Sequence, residues 1–245
     1  MGKLQNIPAI FKIYKSIRTF NSRIKPIQEA AKAGNTNLEK ELIALYTYQW
    51  AEDTIEKLCM HVEVFGRENI PEKDGLVFIS NHQGYGDIIV LFKALQGKQL
   101  GFIAKDTLAK LPLFGKWITT IHGLFLHRGN AKEALKSLSQ GAKQIKDGYN
   151  LVIFPEGTRS KGPEMADFKP GSFKLATMAK AAIVPITING TYHLLEEKGY
   201  YQKDAHVTVT IHPAVETDGL SRKEISNTIK NIEDTIRVAI KNNLL

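Results

Sequence analysis

Gly75-Leu76-Val77-Phe78-Ile79-Ser80 runs directly into Asn81-His82-Gln83-Gly84-Tyr85-Gly86-Asp87, and then into Ile88-Ile89-Val90-Leu91-Phe92-Lys93-Ala94-Leu95. A short apolar run, a polar turn with two glycines and an apolar stretch of helical length read as strand, turn and helix, the unit of α/β sheets. The turn carries a base and a carboxylate, His82 and Asp87. On one continuous helix, five steps of about 100° would set them roughly 140° apart, on different faces. They meet if the chain doubles back between them, and Gly84 and Gly86 are expected to permit this by adopting positive φ. Asp87 then reaches one ring nitrogen of His82 from the first turn of the helix. That contact fixes the tautomer and leaves the other nitrogen to accept a proton. Taken alone, the segment has a plainer reading, a strand–turn–helix corner with a polar helix start.

A second segment, Leu151-Val152-Ile153-Phe154-Pro155-Glu156-Gly157-Thr158-Arg159-Ser160, repeats the pattern of a buried strand stopped by a polar turn. Ligands of open α/β sheets bind at that carboxyl edge. The guanidinium of Arg159 suits a phosphate, being a charged planar fork that binds two oxygens at once. Glu156 is expected either to pair with Arg159 or to accept a hydrogen bond from a substrate hydroxyl. An isolated Glu-Gly-Thr-Arg is otherwise a surface salt bridge on a loop.

Together the two segments resemble the glycerolipid acyltransferases, most closely the 1-acylglycerol-3-phosphate acyltransferases of bacterial phospholipid synthesis. The family's Asn-His-Gln-x-x-x-Asp block stands at 81–87 and its Phe-Pro-Glu-Gly-Thr-Arg-Ser block at 154–160. Gly123-Leu124-Phe125-Leu126-His127-Arg128 resembles its second block and Val184-Pro185-Ile186 its fourth, and Phe168–Phe173 resembles the stretch after the third. The blocks keep the family's order over roughly residues 75–190. Many members have Ser where this chain has Gly84, which bears on fine substrate preference more than on the chemistry.

The resemblance implies transfer of a fatty acyl group from a thioester, acyl carrier protein or acyl-CoA, to the 2-hydroxyl of lysophosphatidic acid, giving phosphatidic acid. In this reading His82 is the general base, oriented by Asp87, with no acyl-enzyme and no cofactor. Neutral imidazole is available near pH 7. Arg159, Arg128 and Lys105 are the candidates for the acceptor's phosphate. Glu156, Gly157 and Thr158 are candidates for contact with the acceptor, and the turn holding Gly84 and Gly86 for the oxyanion through backbone N–H groups. Other acceptors, such as glycerol-3-phosphate or a lysolipid, are alternatives, as is a non-catalytic lipid-binding protein of the same fold. No metal site is expected, because His122 and His127 have no carboxylate or cysteine at ligand spacing. Cys59, the sole cysteine, reads as a small buried apolar residue.

The remaining chain reads as an α/β fold with a central, mostly parallel or mixed sheet of about seven strands and helices on both faces. The 245 residues, 43% hydrophobic and 24% charged, are those of an ordinary globular chain. Candidate strands are 61–66, 75–80, 101–105, 123–128, 151–154, 182–189 and 206–212. The last alternates apolar and polar residues, so it belongs near a sheet edge with one wetter face. Asn130 and Gly148 bracket a helix, and Ser221 with Glu224 forms a capping box for the last one.

Residues 1–60 differ in kind from residues 61–245, the acyltransferase part. Leu4, Ile7, Ile10, Phe11, Tyr14, Ile17, Phe20, Ile24 and Ile27 form an amphipathic stripe. Within residues 1–34, Lys3, Lys12, Lys15, Arg18, Arg23, Lys25 and Lys32 face Glu29 alone, so that segment carries +6 of the chain's net +8. Pro26 should kink or end this helix. After the Gly34–Asn37 turn, Thr36 and Glu39 are expected to cap a second helix. The stripe either packs on the protein's own core or, with the charge asymmetry, makes a basic hairpin on an anionic membrane surface. No apolar run approaches the roughly 18 residues of a spanning helix and no signal peptide is visible. The expectation is a peripheral or monotopic protein at the cytoplasmic face of a bacterial inner membrane. Nucleic acid is not an expected partner, since the charge follows one helical arm and no recognition motif accompanies it.

Overall fold

The computed structural model describes residues 7–126 and 131–242. Three helices, α1 (Ile7–Ser22), α2 (Ile24–Lys32) and α3 (Thr36–Lys57), precede β1 (His61–Phe65). Then follow β2 (Val77–Ser80), α4 (Asp87–Ala94), β3 (Gly101–Lys105), α5 (Pro112–Thr120), β4 (Leu124–Leu126), α6 (Ala131–Lys146) and β5 (Leu151–Ile153). The chain continues through α7 (Lys174–Ala179), β6 (Ile183–Asn189), β7 (His206–Ile211) and α8 (Arg222–Asn242). The sheet order is β1-β7-β6-β2-β5-β3-β4. All neighbours are parallel except β6 and β7, which run antiparallel with Ile186 opposite Ile211. The sheet is therefore mixed, and the five strands from β6 to β4 point their carboxyl ends at one edge.

Alternation along each strand divides the interior into two cores. Phe78, Val152, Val184 and Ile186 face α1 to α5, packing with Phe20, Trp50, Leu91, Phe92 and Trp117. Val77, Ile79, Leu151, Ile153 and Ile183 face the other way, against Ile145 of α6, Leu175 of α7 and Ile232, Ile236 and Ile240 of α8. Helices thus cover both faces of the central strands. Toward the β1 edge one face is open: His61, Glu63 and Phe65 are exposed, and β7 alternates between buried Val207, Val209 and Ile211 and the less buried residues between them.

The basic arm is broken at Arg23, three residues before Pro26. A proline ring collides with the carbonyl four residues earlier, here that of Ser22, the last residue of α1. Ile17, Phe20, Ile24 and Ile27 are almost fully buried in the shared core, so this part of the stripe faces protein and is not available to a lipid surface. Leu4 and Lys3 lie outside the described residues. The cap of α3 also differs from expectation. Asn35, not Thr36, accepts the N–H of Leu38 at 3.2 Å. Glu39 is buried and instead accepts hydrogen bonds from His122 Nε2 (2.8 Å) and the Tyr149 hydroxyl (2.9 Å), tying α3 to the sheet domain. Burial and the Glu39 carboxylate push the Tyr149 phenol up to about 12. Ser221 and Glu224 form the reciprocal box expected at the start of α8. Cys59 is exposed, not buried, because it follows the end of α3 in a turn at φ 47°.

Candidate active site

β2 enters the site anchored sideways. The Asn81 side chain donates to the Ile188 carbonyl and accepts the Ile188 N–H, both at 2.8 Å, so it acts as an extra ladder rung between β2 and β6. The loop after β5 holds the other flank, with Ser160 N–H donating to the His82 carbonyl at 2.7 Å and Lys161 N–H to that of Gln83 at 3.1 Å. His82 is thereby fixed at the carboxyl edge, between the ends of β6 and β5.

His82 Nδ1 lies 2.6 Å from Asp87 Oδ2, and Asp87 is the first residue of α4. The same oxygen accepts the N–H groups of Gln83 (2.7 Å) and Gly84 (3.0 Å), and the other oxygen accepts the Thr191 hydroxyl. A completely buried carboxylate is tolerable with four donors around it. Because Asp87 offers only acceptors, Nδ1 carries the hydrogen and Nε2 the lone pair. Phe154 stacks on the imidazole at 4.1 Å and 16°, which limits rotation of the ring. The His82 side chain retains 20% exposure, so the site is open to a reactant.

The turn closes without the positive φ expected of its glycines. Gly86 is right-handed helical at φ −67°, and Gly84 is not among the left-handed residues. What Gly84 supplies is space, since a Cβ there would lie 2.7 Å from Glu196 Oε2. Several backbone donors of the turn are engaged: Gln83 and Gly84 serve Asp87, Tyr85 N–H donates to Glu196 Oε1 at 2.9 Å, and Asp87 N–H contacts the Gly84 carbonyl at 3.4 Å.

Glu156 does not pair with Arg159. Its two oxygens accept the N–H groups of His82 (2.6 Å) and Ala166 (2.8 Å), so this carboxylate buckles the turn after β2 to the loop after β5. Burial raises its pKa, against the two N–H groups and the nearby His82. Arg159 instead donates to Glu196 at 2.8 Å and lies over the Tyr85 ring, its Cζ 3.6 Å from the centroid. Burial likewise raises the Glu196 carboxyl, opposed by the Tyr85 N–H and Arg159. Gly157 is left-handed at φ +69° and allows close approach of Lys169, whose Nζ would be 2.8 Å from a Cβ there. Thr158 is exposed, and Lys105 is exposed at the end of β3, on the same sheet edge but beyond β5 from His82. Arg128 and His127 lie outside the described residues.

Thr191, Glu196, Tyr85, Phe154 and Lys169 were not foreseen as site residues. Thr191 and Glu196 come from the segment after β6, more than 100 residues from His82, and no local pattern marks them. Phe154 and Lys169 sat within segments already singled out, and Tyr85 within the turn itself. Among the described residues no group of three His, Cys, Asp or Glu side chains is arranged to hold a metal ion. A cleft of about 740 Å³ lies on the other side of the β6 terminus, lined by His61, Lys93, Gly190 and His193 among others, and does not include His82.

The protein-family model described as Acyltransferase matches residues 61–189. A 1-acyl-sn-glycerol-3-phosphate acyltransferase of Chlamydomonas reinhardtii is 36% identical over 157 residues, which cover 63% of this chain and 46% of the algal protein. The match thus spans about half of that relative's length. The protein of the same name from Borreliella burgdorferi is 27% identical over 173 residues, covering 71% of this chain and 69% of its own. That from Saccharomyces cerevisiae is 31% identical over 189 residues, covering 75% and 61%. Among solved structures, the 1-acyl-sn-glycerophosphate acyltransferase PlsC of Thermotoga maritima shares the fold, with a TM-score of 0.76 over 99% of this chain and 97% of that one at 23% identity.

Proposed function

Since the chain belongs to the acyltransferase family, we propose that it transfers a fatty acyl group from a thioester to the 2-hydroxyl of lysophosphatidic acid. The observation that carries this reading is the 2.6 Å contact between His82 Nδ1 and buried Asp87, which leaves Nε2 as a base at an open sheet edge. Nε2 removes the proton from the acceptor hydroxyl as its oxygen attacks the thioester carbonyl. Collapse of the tetrahedral intermediate breaks the C–S bond, and the proton on Nε2 passes to the departing thiolate. Asp87 stabilises the imidazolium in between, so no covalent enzyme intermediate is needed. The cations gathered at the same edge, Arg159 with Lys169 and more distantly Lys105, suit a phosphate-bearing acceptor. The relatives' printed names support that acceptor. The donor is an acyl thioester of either acyl carrier protein or CoA.

The N-terminal arm supplies the contact with the lipid phase. Lys15, Arg18 and Lys25 are exposed on α1 and α2, where they complement an anionic surface. No helix among the described residues is long and apolar enough to cross a membrane. This reading places the protein on the bilayer surface.

The test is thioester-dependent acylation of lysophosphatidic acid in lipid vesicles by the wild type and His82→Ala. Phosphatidic acid formation that falls by about 10²–10⁴ in the variant is the expected outcome. Equal rates would remove His82 from the chemistry, and no product from either protein would exclude this acceptor. Arg159→Ala separates acceptor classes: a phosphate acceptor predicts a large rise in KM, a neutral one little change.

A further inference from the structure

Glu196 is unlike the other acidic groups of the site. It lies beyond β6, after the short helical turn Thr191–Leu194, on a segment whose next residues, Glu197, Lys198 and Gly199, are exposed. Its own side chain is only 4% exposed. One carboxylate oxygen, Oε1, sits where the Arg159 guanidinium and the Tyr85 N–H converge, at 2.8 and 2.9 Å. The other, Oε2, is buried with no hydrogen-bond partner among the described residues. It fits because Gly84 has no side chain. An anion held by a guanidinium and a backbone N–H at the start of α4 is the arrangement in which proteins hold phosphate oxygens.

We propose that Glu196 is an internal stand-in for the phosphate monoester of the acceptor, occupying the Arg159–Tyr85 anion site until the acceptor displaces it. The proposal rests on the reading of Arg159 as the phosphate partner. A dianionic phosphate does not settle beside a buried carboxylate on one guanidinium, because like charges in a poorly hydrated site repel strongly. Entry of the phosphate therefore expels Glu196 toward solvent. That frees the Tyr85 N–H along with Arg159 and exposes an oxygen that had been buried without a partner. Weaker or singly charged anions displace it less well, so the exchange tunes the site toward a doubly charged ligand. In the empty enzyme, Glu196 keeps Arg159 neutralised and over the Tyr85 ring.

The experiment measures two quantities on the full-length protein: KM for lysophosphatidic acid in vesicles, and the concentration of inorganic phosphate giving half of its maximal thermal stabilisation. The second readout needs no activity. Glu196→Ala is expected to lower both about tenfold, as removal of one competing charge-assisted contact would. Glu196→Gln should fall between it and the wild type, and Arg159→Ala should raise both. If Arg159→Ala leaves both unchanged, the phosphate reading of Arg159 fails, and this proposal with it. If Arg159→Ala raises both but Glu196→Ala leaves them unchanged or raises them too, the acceptor reading stands and the stand-in is overturned, Glu196 then serving to orient the arginine.

Discussion

In the proposed reaction, the chemistry depends on which groups share Asp87. Four donors converge on one buried carboxylate, and one of them is His82, the base of the proposed reaction. Asp87→Asn keeps the shape but removes the charge that supports the imidazolium, and its amide can present a donor to Nδ1. We expect kcat to fall by roughly 10²–10⁴ with KM changed little, measured by steady-state acylation kinetics. Thr191→Val removes one donor and leaves the others, so kcat should fall only by about fivefold, the worth of a hydrogen bond of about 1 kcal/mol. A Thr191 variant as damaged as the Asp87 one would mean that its hydroxyl does more than hold the carboxylate.

Among the elements, β6 acts as the ruler of the site. Buried along its whole length, it takes the Asn81 amide on one side and pairs with β7 on the other. Asn81→Leu leaves the Ile188 N–H without its partner in the core, and should cost about 2–3 kcal/mol in urea unfolding as well as loosening His82. His212, just past β7, rests its Nε2 2.8 Å from the Thr187 hydroxyl of β6, and burial lowers its pKa from the usual 6.5. The unfolded chain then takes up the proton first as pH falls. The stability from keeping this ring neutral is full above about 6.5 and is lost as pH drops through the folded value. Tm should decline on acidifying below about 6.5, and His212→Gln should show a shallower decline over that window.

At the scale of the whole molecule, the N-terminal helices are part of the enzyme's core and its basic outer surface at once. Phe20 is buried edge-on to Trp117, which also meets Trp50 and Phe92. Phe20→Ala should destabilise the entire fold by about 3–5 kcal/mol, read as a single cooperative unfolding transition. A loss confined to the first helices, with the sheet intact, would show that they unfold separately. Reversing exposed charges tests the other role: the triple change Lys15→Glu, Arg18→Glu, Lys25→Glu should abolish co-sedimentation with anionic vesicles while leaving Tm within a few degrees. Retained binding would place the membrane contact elsewhere.

Local order determined much of this protein. The apolar runs at 75–80 and 151–154, each closed by a polar turn, specify buried parallel strands, because only a sheet covered on both faces buries such runs. The two turns also named His82, Asp87 and Arg159, since strand ends of one parallel sheet gather at one edge. Partners distant in the chain could be settled only by tertiary structure. Arg159 has an acidic neighbour three residues away, yet pairs with Glu196, because Glu156 is drawn to the N–H groups of His82 and Ala166. The stripe of α1 and α2 read equally well as lipid-facing or core-facing, and packing against α3 and α5 decided for the core from Ile17 onward. Hydrophobic periodicity states that a face must be buried; what buries it depends on contacts between residues far apart in the chain.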